Sequence, residues 1–251
     1  NSAVFSILAD GRPAYPAINP KEKIAVDECP ILEPPLEDEL HKAALLGVGP
    51  RREWAIRVPE PITVGNFDYY VGSKSLFPVN TLAAEQLVAA VVAAMEPRQE
   101  QNYIDLYCGV GLFTLPLAVM SADVIGVEPN ADAGRDARRN VASIRYRLFN
   151  KIPPRILTSE IGVGMARPEI KTRHWHGAVL KSASKELDLT TSNQIAKLGV
   201  LRLVYVASGT ATLGRDIKAL VSKGFRFEYA QPLDMMPQTR HVQTVVRLSL
   251  R

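Results

Sequence analysis

The chain has 251 residues, of which 47% are hydrophobic and 22% are charged. This balance excludes intrinsically disordered, collagen-like and fibrous proteins, and it predicts one large globular domain or two small ones. No apolar run approaches the roughly 20 residues that a membrane-spanning helix needs, so no membrane helix is predicted.

The formal net charge of +4 is unevenly distributed. Residues 1–75 contain 8 Lys and Arg against 11 Asp and Glu, whereas residues 76–251 contain 22 against 15. A basic segment of this kind is typical of proteins that bind a polyanion, most often nucleic acid. The alternative is that the excess only keeps the protein in solution, and composition alone does not separate the two.

Cysteine and histidine are sparse. The two cysteines, Cys29 and Cys108, predict a reducing compartment, either the mitochondrial matrix or the cytoplasm. His174 and His176 have the spacing that puts two rings on one face of a strand, but no third ligand follows at a suitable distance in the sequence. We therefore predict a strand edge there and no metal site. Because the first residue is Asn, any targeting segment is expected to lie outside this sequence.

Two segments with different patterns follow one another along the chain. Residues 1–75 are rich in proline and turn signals and predict a small α+β segment, with β-type runs at 62–64 and 69–71 and a helix at about 35–46. In residues 76–251 strands and helices alternate, which predicts an α/β domain with a parallel sheet and helices on both faces. The predicted helices are 80–94, 112–120, 131–144, 185–198 and 211–223. The predicted strands are 103–107, 123–128, 178–180, 201–207, 225–230 and 242–250.

The segment YIDLYCGVGLF carries the first candidate site. It places Asp105 at the end of a strand and Gly109 and Gly111 in the turn before a helix, where glycine lets the backbone approach a ligand. Glu128 ends the next strand, at a tip where a carboxylate can accept hydrogen bonds from ribose hydroxyls. Without a third glycine or a phosphate-binding lysine, the pattern favours S-adenosylmethionine over a dinucleotide or a nucleoside triphosphate. The alternative is that the glycines only form a turn.

Several blocks resemble the signatures of the RNA uridine-carbon-5 methyltransferases, which make 5-methyluridine in tRNA and ribosomal RNA. They are DLYCGVGLFTLPLA, VIGVEPN, VYVASGTATLGRD and LDMMPQTRHVQTVVRL, with SLFPVN and VDECPILEPPLEDEL upstream. The resemblance implies a Rossmann-like S-adenosylmethionine-dependent methyltransferase domain at 76–251 and the remnant of a central domain at 1–75. This sequence does not contain the N-terminal β-barrel domain that is usual in the family, so we expect that domain either to be absent or to lie outside the sequence. The resemblance further implies that no iron–sulfur cluster forms, because Cys29 matches one cluster ligand while its three companions are missing.

The resemblance also implies a chemistry that two residues of this chain do not supply. In the family a cysteine thiolate adds to carbon 6 of the uracil ring, and a carboxylate later removes the proton from carbon 5. Ser208 stands at the cysteine position and Gln243 at the glutamate position. A serine hydroxyl supplies almost no alkoxide at neutral pH and an amide oxygen is not basic, so both residues are predicted to be non-functional in this reaction.

Two further departures concern the cofactor. Lys181 stands where the family has an acidic residue after the fourth strand, and Pro78 replaces a glutamine that helps to hold the methionine portion. The residues that would still hold S-adenosylmethionine are Asp105, Gly109, Gly111, Glu128 and Asn80. Binding and loss of binding are both open at this point. A different chemistry, in which His241 or Lys181 activates Ser208, is also open.

A run of basic side chains, with Tyr146 and Phe149 interleaved, could bind RNA phosphates and stack on bases. The candidate RNA-binding residues are Arg138, Arg139, Arg145, Arg147, Lys151, Arg215 and Arg240. The alternative is the solvated face of a helix.

These observations together predict a catalytically inactive relative of the uridine methyltransferases. Its expected role is that of an RNA-binding structural or assembly factor in a ribonucleoprotein, with ribosomal RNA or tRNA and ribonucleoprotein proteins as partners. A place in the biogenesis of the large ribosomal subunit or of an organellar ribosome follows from family analogy alone. The competing hypotheses are an active tRNA or rRNA methyltransferase with a rearranged site and a protein-interaction module that no longer binds RNA.

Overall fold

The computed structural model describes residues 2–8, 10, 12–16, 22–26, 38, 41–42, 51–57, 61–72, 74–78, 80–149, 151–181, 187, 189–237, 239 and 242–250. The chain divides into two compact units, Asn1–Glu60 and Pro61–Arg251. The division therefore falls earlier than the predicted boundary at residue 75. The physical reason is that residues between 61 and 75 bind to later parts of the chain. Buried Tyr69 donates to the Leu112 carbonyl at 3.0 Å, and the Gly72 amide donates to Asp136 at 2.6 Å.

The smaller unit contains an antiparallel sheet. Its strands are β1 (Ser2–Ile7), β2 (Pro13–Pro16), β3 (Lys23–Ala25) and β4 (Arg51–Arg57), in the order β3-β2-β1-β4. Cys29 and most of the helix predicted at 35–46 lie outside the described residues. The interpretation of this unit as the remnant of a central domain stays a prediction.

The larger unit is built on a sheet of seven strands in the order β12-β13-β11-β10-β7-β8-β9. They are β7 (Asn102–Leu106), β8 (Asp123–Glu128), β9 (Arg155–Thr158), β10 (Gly177–Lys181), β11 (Arg202–Ala207), β12 (Phe225–Leu233) and β13 (Gln243–Leu250). A separate hairpin consists of β5 (Ile62–Val64) and β6 (Phe67–Tyr69).

The predicted parallel sheet is present in the central strands, but β13 departs from it. The five neighbouring strands β11, β10, β7, β8 and β9 run parallel to one another. Strand β13 is antiparallel to both β11 and β12. The connection from β12 to β13 explains the reversal. It spans residues 234–242, whereas a parallel crossover needs a dozen residues or more.

The helices of the larger unit flank the sheet. They are α1 (Thr81–Met95), α2 (Thr114–Met120), α3 (Ala131–Ser143), α4 (Ile161–Met165), α5 (Pro168–Lys171), α6 (Leu189–Leu198) and α7 (Thr210–Val221), with a 3-10 turn at Arg145–Arg147. Strand β9 and helices α4 and α5 fall in a stretch for which no element was predicted. No helix in the described part of the chain is both long and apolar enough to cross a bilayer.

Two hydrophobic cores lie on opposite faces of the sheet. Along β7, Tyr103 packs with α1 and α2 on one face, and Ile104 and Leu106 pack on the other face around Trp175. Alternation continues along β10, where Val179 joins the first core and Leu180 the second. Because side chains alternate along a strand, Asp105 and Lys181 lie on the face that carries α1 and α2.

Gly126, in the middle of β8, allows the turn after β7 to lie close against the sheet. A Cβ atom at Gly126 would lie 2.8 Å from the Cys108 sulfur and 2.9 Å from Ile156 Cδ1. We expect Gly126→Ala to lower the free energy of unfolding by about 1–3 kcal/mol through overpacking, measured by urea denaturation. As a matched control, Gly214→Ala on α7, where an added Cβ meets nothing within 4 Å, should raise stability by about 0.5–1 kcal/mol. Equal stability of Gly126→Ala and the wild type would contradict this account.

Candidate functional site

The turn between β7 and α2 exposes its backbone at one point. Gly109 and Gly111 have φ angles of +56° and +94°, a region in which residues other than glycine are strained. A Cβ at Gly109 would meet nothing within 4 Å, whereas one at Gly111 would lie 2.9 Å from Leu115 Cδ1. Gly111 therefore permits close packing of α2, and Gly109 leaves the backbone open to a ligand.

Glu128 joins this turn to the end of the neighbouring strand. Its Oε2 accepts a hydrogen bond from the Gly109 amide at 2.8 Å, and its Oε1 accepts one from the Asn130 amide at 2.8 Å. Asn130 in turn caps α3 by accepting from the amides of Asp132 and Ala133. A carboxylate oxygen has two lone pairs, so each oxygen of Glu128 can still accept a hydrogen bond from a ligand hydroxyl.

Asp105 is fully buried beneath the turn. Its Oδ2 accepts from the Thr114 hydroxyl at 2.6 Å, and its Oδ1 has no hydrogen-bond partner among the described residues. Burial raises the pKa of Asp105 to about 7, because a carboxylate loses its hydration in the interior. Thr114 is a site residue that the sequence prediction missed. The available signal was a threonine at the start of the helix that follows the glycine turn.

Lys181 brings a positive charge to the same edge. It is the last residue of β10, and its ammonium lies 5.9 Å from the centre of the Phe113 ring. Burial lowers the pKa of Lys181, while the charges of Asp105 and Glu128 act in the opposite direction. The charges of Glu128, Asp105 and Lys181 therefore influence one another at the ends of β8, β7 and β10.

Ser208 and Gln243 meet at the same edge of the sheet. The register of β11 and β13 pairs Ala207 with Thr244, so Ser208, which follows β11, comes opposite Gln243, which begins β13. The side-chain oxygen of Gln243 is buried with no hydrogen-bond partner among the described residues. The structure thus brings together the two positions that the family chemistry requires. His241 lies outside the described residues.

Asn80 is used structurally. Its side-chain oxygen accepts from the Ala83 amide at 3.0 Å and caps α1, so it can offer a ligand its amide nitrogen and the second lone pair of this oxygen. Its role toward a cofactor stays a prediction.

Most of the predicted RNA-binding side chains make contacts within the protein. Arg138 donates to Thr158 at 2.9 Å, and Lys151 donates to the Val119 carbonyl at 2.7 Å. The guanidinium of Arg139 lies 3.7 Å from the Tyr70 ring centre, and that of Arg147 lies 4.4 Å from the Phe67 ring centre. Arg145 is exposed, beside Tyr146 and Phe149, which are 79% and 86% exposed.

The predicted RNA-binding set does not form one continuous patch. Arg215 lies on α7, which packs on β12, whereas Arg138 and Arg139 lie on α3, which packs on β8 and β9. Strands β12 and β9 are the two outer strands of the sheet. Arg240 lies outside the described residues.

The paired histidines are near one another but have other partners. Their rings lie 4.7 Å apart edge to face, and His176 Nδ1 accepts from the Asn102 amide at 3.2 Å. Among the residues that the structure describes, no three potential ligands come together to hold a metal ion.

Comparison with known proteins identifies relatives that act on RNA. The chain is 34% identical over 168 residues to the 23S rRNA (uracil(1939)-C(5))-methyltransferase RlmD of Nitrosococcus oceani, covering 66% of this chain and 36% of that protein. It is 32% identical over 191 residues to an uncharacterized RNA methyltransferase of Bacillus cereus, covering 74% of this chain and 39% of that protein. The chain thus spans about two fifths of the length of these relatives. No family model matches the chain.

Solved structures confirm the predicted fold class. The tRNA (uracil-54, C5)-methyltransferase of Pyrococcus abyssi, solved in complex with S-adenosyl-L-homocysteine, aligns with a TM-score of 0.62 at 24% identity, over 80% of this chain and 46% of that chain. The magnesium protoporphyrin IX methyltransferase of Synechocystis, solved with the same ligand, aligns with a TM-score of 0.54 at 17% identity, over 68% of this chain and 85% of that chain. The larger unit therefore has the Rossmann-like fold of S-adenosylmethionine-dependent methyltransferases.

The buried carboxyl of Asp105 predicts a pH-dependent stability. Its pKa of about 7 in the folded protein exceeds its value of about 3.9 in an unfolded chain, so the folded state binds the proton more tightly. Its contribution to stability is complete below about pH 4 and is lost as the pH rises through 7. Asp105→Asn cannot ionise, so we expect its free energy of unfolding to rise relative to the wild type between pH 4 and pH 8, by up to about 4 kcal/mol.

The measurement is urea denaturation of both proteins across this pH range. The difference between the two isolates Asp105 because the other titrating groups are shared. A difference that does not change with pH would show that Asp105 is not the buried acid that the structure describes.

Proposed function

Because this chain belongs to the RNA uracil-C5 methyltransferase family, we propose that it is a catalytically inactive member that binds RNA as a structural or assembly factor in a ribonucleoprotein. The observation that carries the proposal is the register of β11 and β13, which pairs Ala207 with Thr244 and so puts Ser208 opposite Gln243 at the carboxyl edge of the sheet. The scaffold that would present a nucleophile and a base is kept, and both reactive groups are replaced.

The replacement of the nucleophile stops the first step of the family reaction. A cysteine with a pKa of about 8.5 is a few per cent thiolate at pH 7, but a serine hydroxyl needs an adjacent base to become nucleophilic. The side chain opposite Ser208 is Gln243, whose amide is neutral and cannot take a proton at physiological pH. Gln243 therefore neither activates the Ser208 hydroxyl nor removes the carbon-5 proton.

The case for retained RNA binding has two supports. The relatives of this chain are named as RNA methyltransferases, and the larger unit exposes Tyr146 and Phe149 beside Arg145. Exposed aromatic rings next to a guanidinium suit single-stranded RNA, in which bases stack on the rings and phosphates pair with the charge. Because one relative is named for 23S rRNA, we propose ribosomal RNA as the partner and a role in ribosome biogenesis.

The first experiment is a methylation assay with the full chain, S-adenosylmethionine and transcribed ribosomal RNA, read out by mass spectrometry of nucleosides. We expect no 5-methyluridine from the wild type. Formation of 5-methyluridine that is lost in Ser208→Ala and kept in Ser222→Ala, an exposed serine at the end of α7, would instead establish an active enzyme with a rearranged site.

The second experiment measures RNA affinity as a function of salt with a uridine-rich single-stranded oligonucleotide. Arg145→Ala should reduce the slope of log K against log salt by about 0.7, since one phosphate contact is lost. Phe149→Ala should weaken binding by about 1–3 kcal/mol through lost stacking.

Lys197→Ala on α6, where the lysine is exposed, is the matched control and should leave both the slope and the affinity unchanged. If Arg145→Ala keeps the wild-type salt slope and Phe149→Ala keeps the wild-type affinity, this surface is not the RNA-binding site. Binding of no RNA, together with purification of nuclease-resistant protein partners, would favour a protein-interaction module.

A further inference from the structure

Lys181 lies where a ligand of the glycine turn would extend. In the register of β10 and β7, Val179 pairs with Asp105, so Lys181 is two residues beyond that pair, toward the carboxyl edge and on the same face. Its ammonium lies 5.9 Å from the centre of the Phe113 ring, in the segment that closes the glycine turn. The strands β8, β7 and β10 are neighbours in the sheet, so Glu128, Asp105 and Lys181 stand in a row.

A nucleoside fits one end of this row. The oxygens of Glu128 can accept hydrogen bonds from ribose hydroxyls, and the open space at Gly109 lets the sugar approach the backbone. Pro129, which follows Glu128, is a half-buried apolar residue at this end of the row. With the sugar at Glu128 and Gly109, the 5′ chain of such a nucleoside would lead toward the ends of β7 and β10, the next strands in the sheet.

A cationic 5′ chain does not fit the other end of the row. In S-adenosylmethionine this chain carries a sulfonium, an ammonium and a carboxylate group, a net charge of +1, and Lys181 places a further positive charge beside it. Among the described residues, the carboxylates whose charges act on Lys181 are Asp105 and Glu128, and Asp105 is uncharged for part of the time because burial raises its pKa to about 7. Like charges in a partly desolvated site repel each other more strongly than in water.

We propose that Lys181 makes this site selective for a nucleoside whose 5′ chain has no net positive charge. S-adenosyl-L-homocysteine is the simplest probe of this class, since it lacks the sulfonium charge and the methyl group of S-adenosylmethionine and is otherwise the same molecule. The inference rests on the family membership that underlies the proposed function, but not on the loss of catalysis. A site of this selectivity suits a protein that holds a ligand without transferring a methyl group.

The test is calorimetric titration of the full chain at pH 7.5 with each of the two nucleosides. We expect the wild type to bind S-adenosyl-L-homocysteine at least tenfold more tightly than S-adenosylmethionine. Lys181→Met, which keeps the length of the side chain and removes the charge, should reduce that ratio at least fivefold. Lys181→Arg should keep the wild-type ratio, and so should Lys197→Met, the control at an exposed lysine on α6.

The ratio separates charge selection from a general preference for the smaller ligand, because only a charge effect depends on Lys181. An unchanged ratio in Lys181→Met, or wild-type binding of S-adenosylmethionine as tight as that of its product, would overturn the proposal. Binding of neither nucleoside by the wild type, with thermal midpoints that show all variants to be folded, would overturn it as well. None of these results depends on 5-methyluridine formation, so the failure of this inference and that of the proposed function are distinguishable.

Discussion

The carboxylate of Glu128 holds the carboxyl edge of the larger unit together. One oxygen binds the turn that follows β7, and the other binds the turn that follows β8, where Asn130 starts α3. Two loops that belong to different βα units are thereby fixed to one side chain, and the open backbone of Gly109 is held beside the end of β8. Helix α3 fixes two further segments, since Asn140 on this helix binds both the Tyr70 backbone and the Val110 carbonyl.

The carboxyl edge of the sheet carries ionisable side chains of both signs. Glu128 and Asp105 remain, while Lys181 supplies a cation at the end of β10. The site is therefore closer to electrical neutrality than two carboxylates alone would make it. Ser208 and Gln243, where we propose that the nucleophile and the base are lost, lie elsewhere on the edge, after β11 and at the start of β13. The proposed loss of catalysis and the proposed ligand selectivity therefore rest on different residues of this edge.

The sequence predicts local features of this structure better than long-range ones. Strand β8 has the predicted bounds 123–128, because an apolar run between two turn signals is a local pattern. The direction of β13 is not contained in its periodicity, although the short connection before it indicates a reversal. The contacts of Arg139 with Tyr70 and of Arg147 with Asn66 join residues far apart in the chain, so a run of basic residues could not show which of them are already engaged. The pairing of Ser208 with Gln243 likewise depends on strand register.

The position of β13 has a consequence for how the protein forms. In the described sheet, β12 pairs with β13 alone, and β13 lies between β11 and β12 although it follows both in the chain. As synthesis proceeds from the N-terminus, β12 emerges before any strand to which it can pair, and its exposed edge is available for wrong pairing until β13 is made. The central parallel strands can assemble earlier. Strand β13 then pairs with both β11 and β12 and so joins β12 to the sheet. The arrival of one late strand therefore completes both the outer part of the sheet and the edge that carries Gln243.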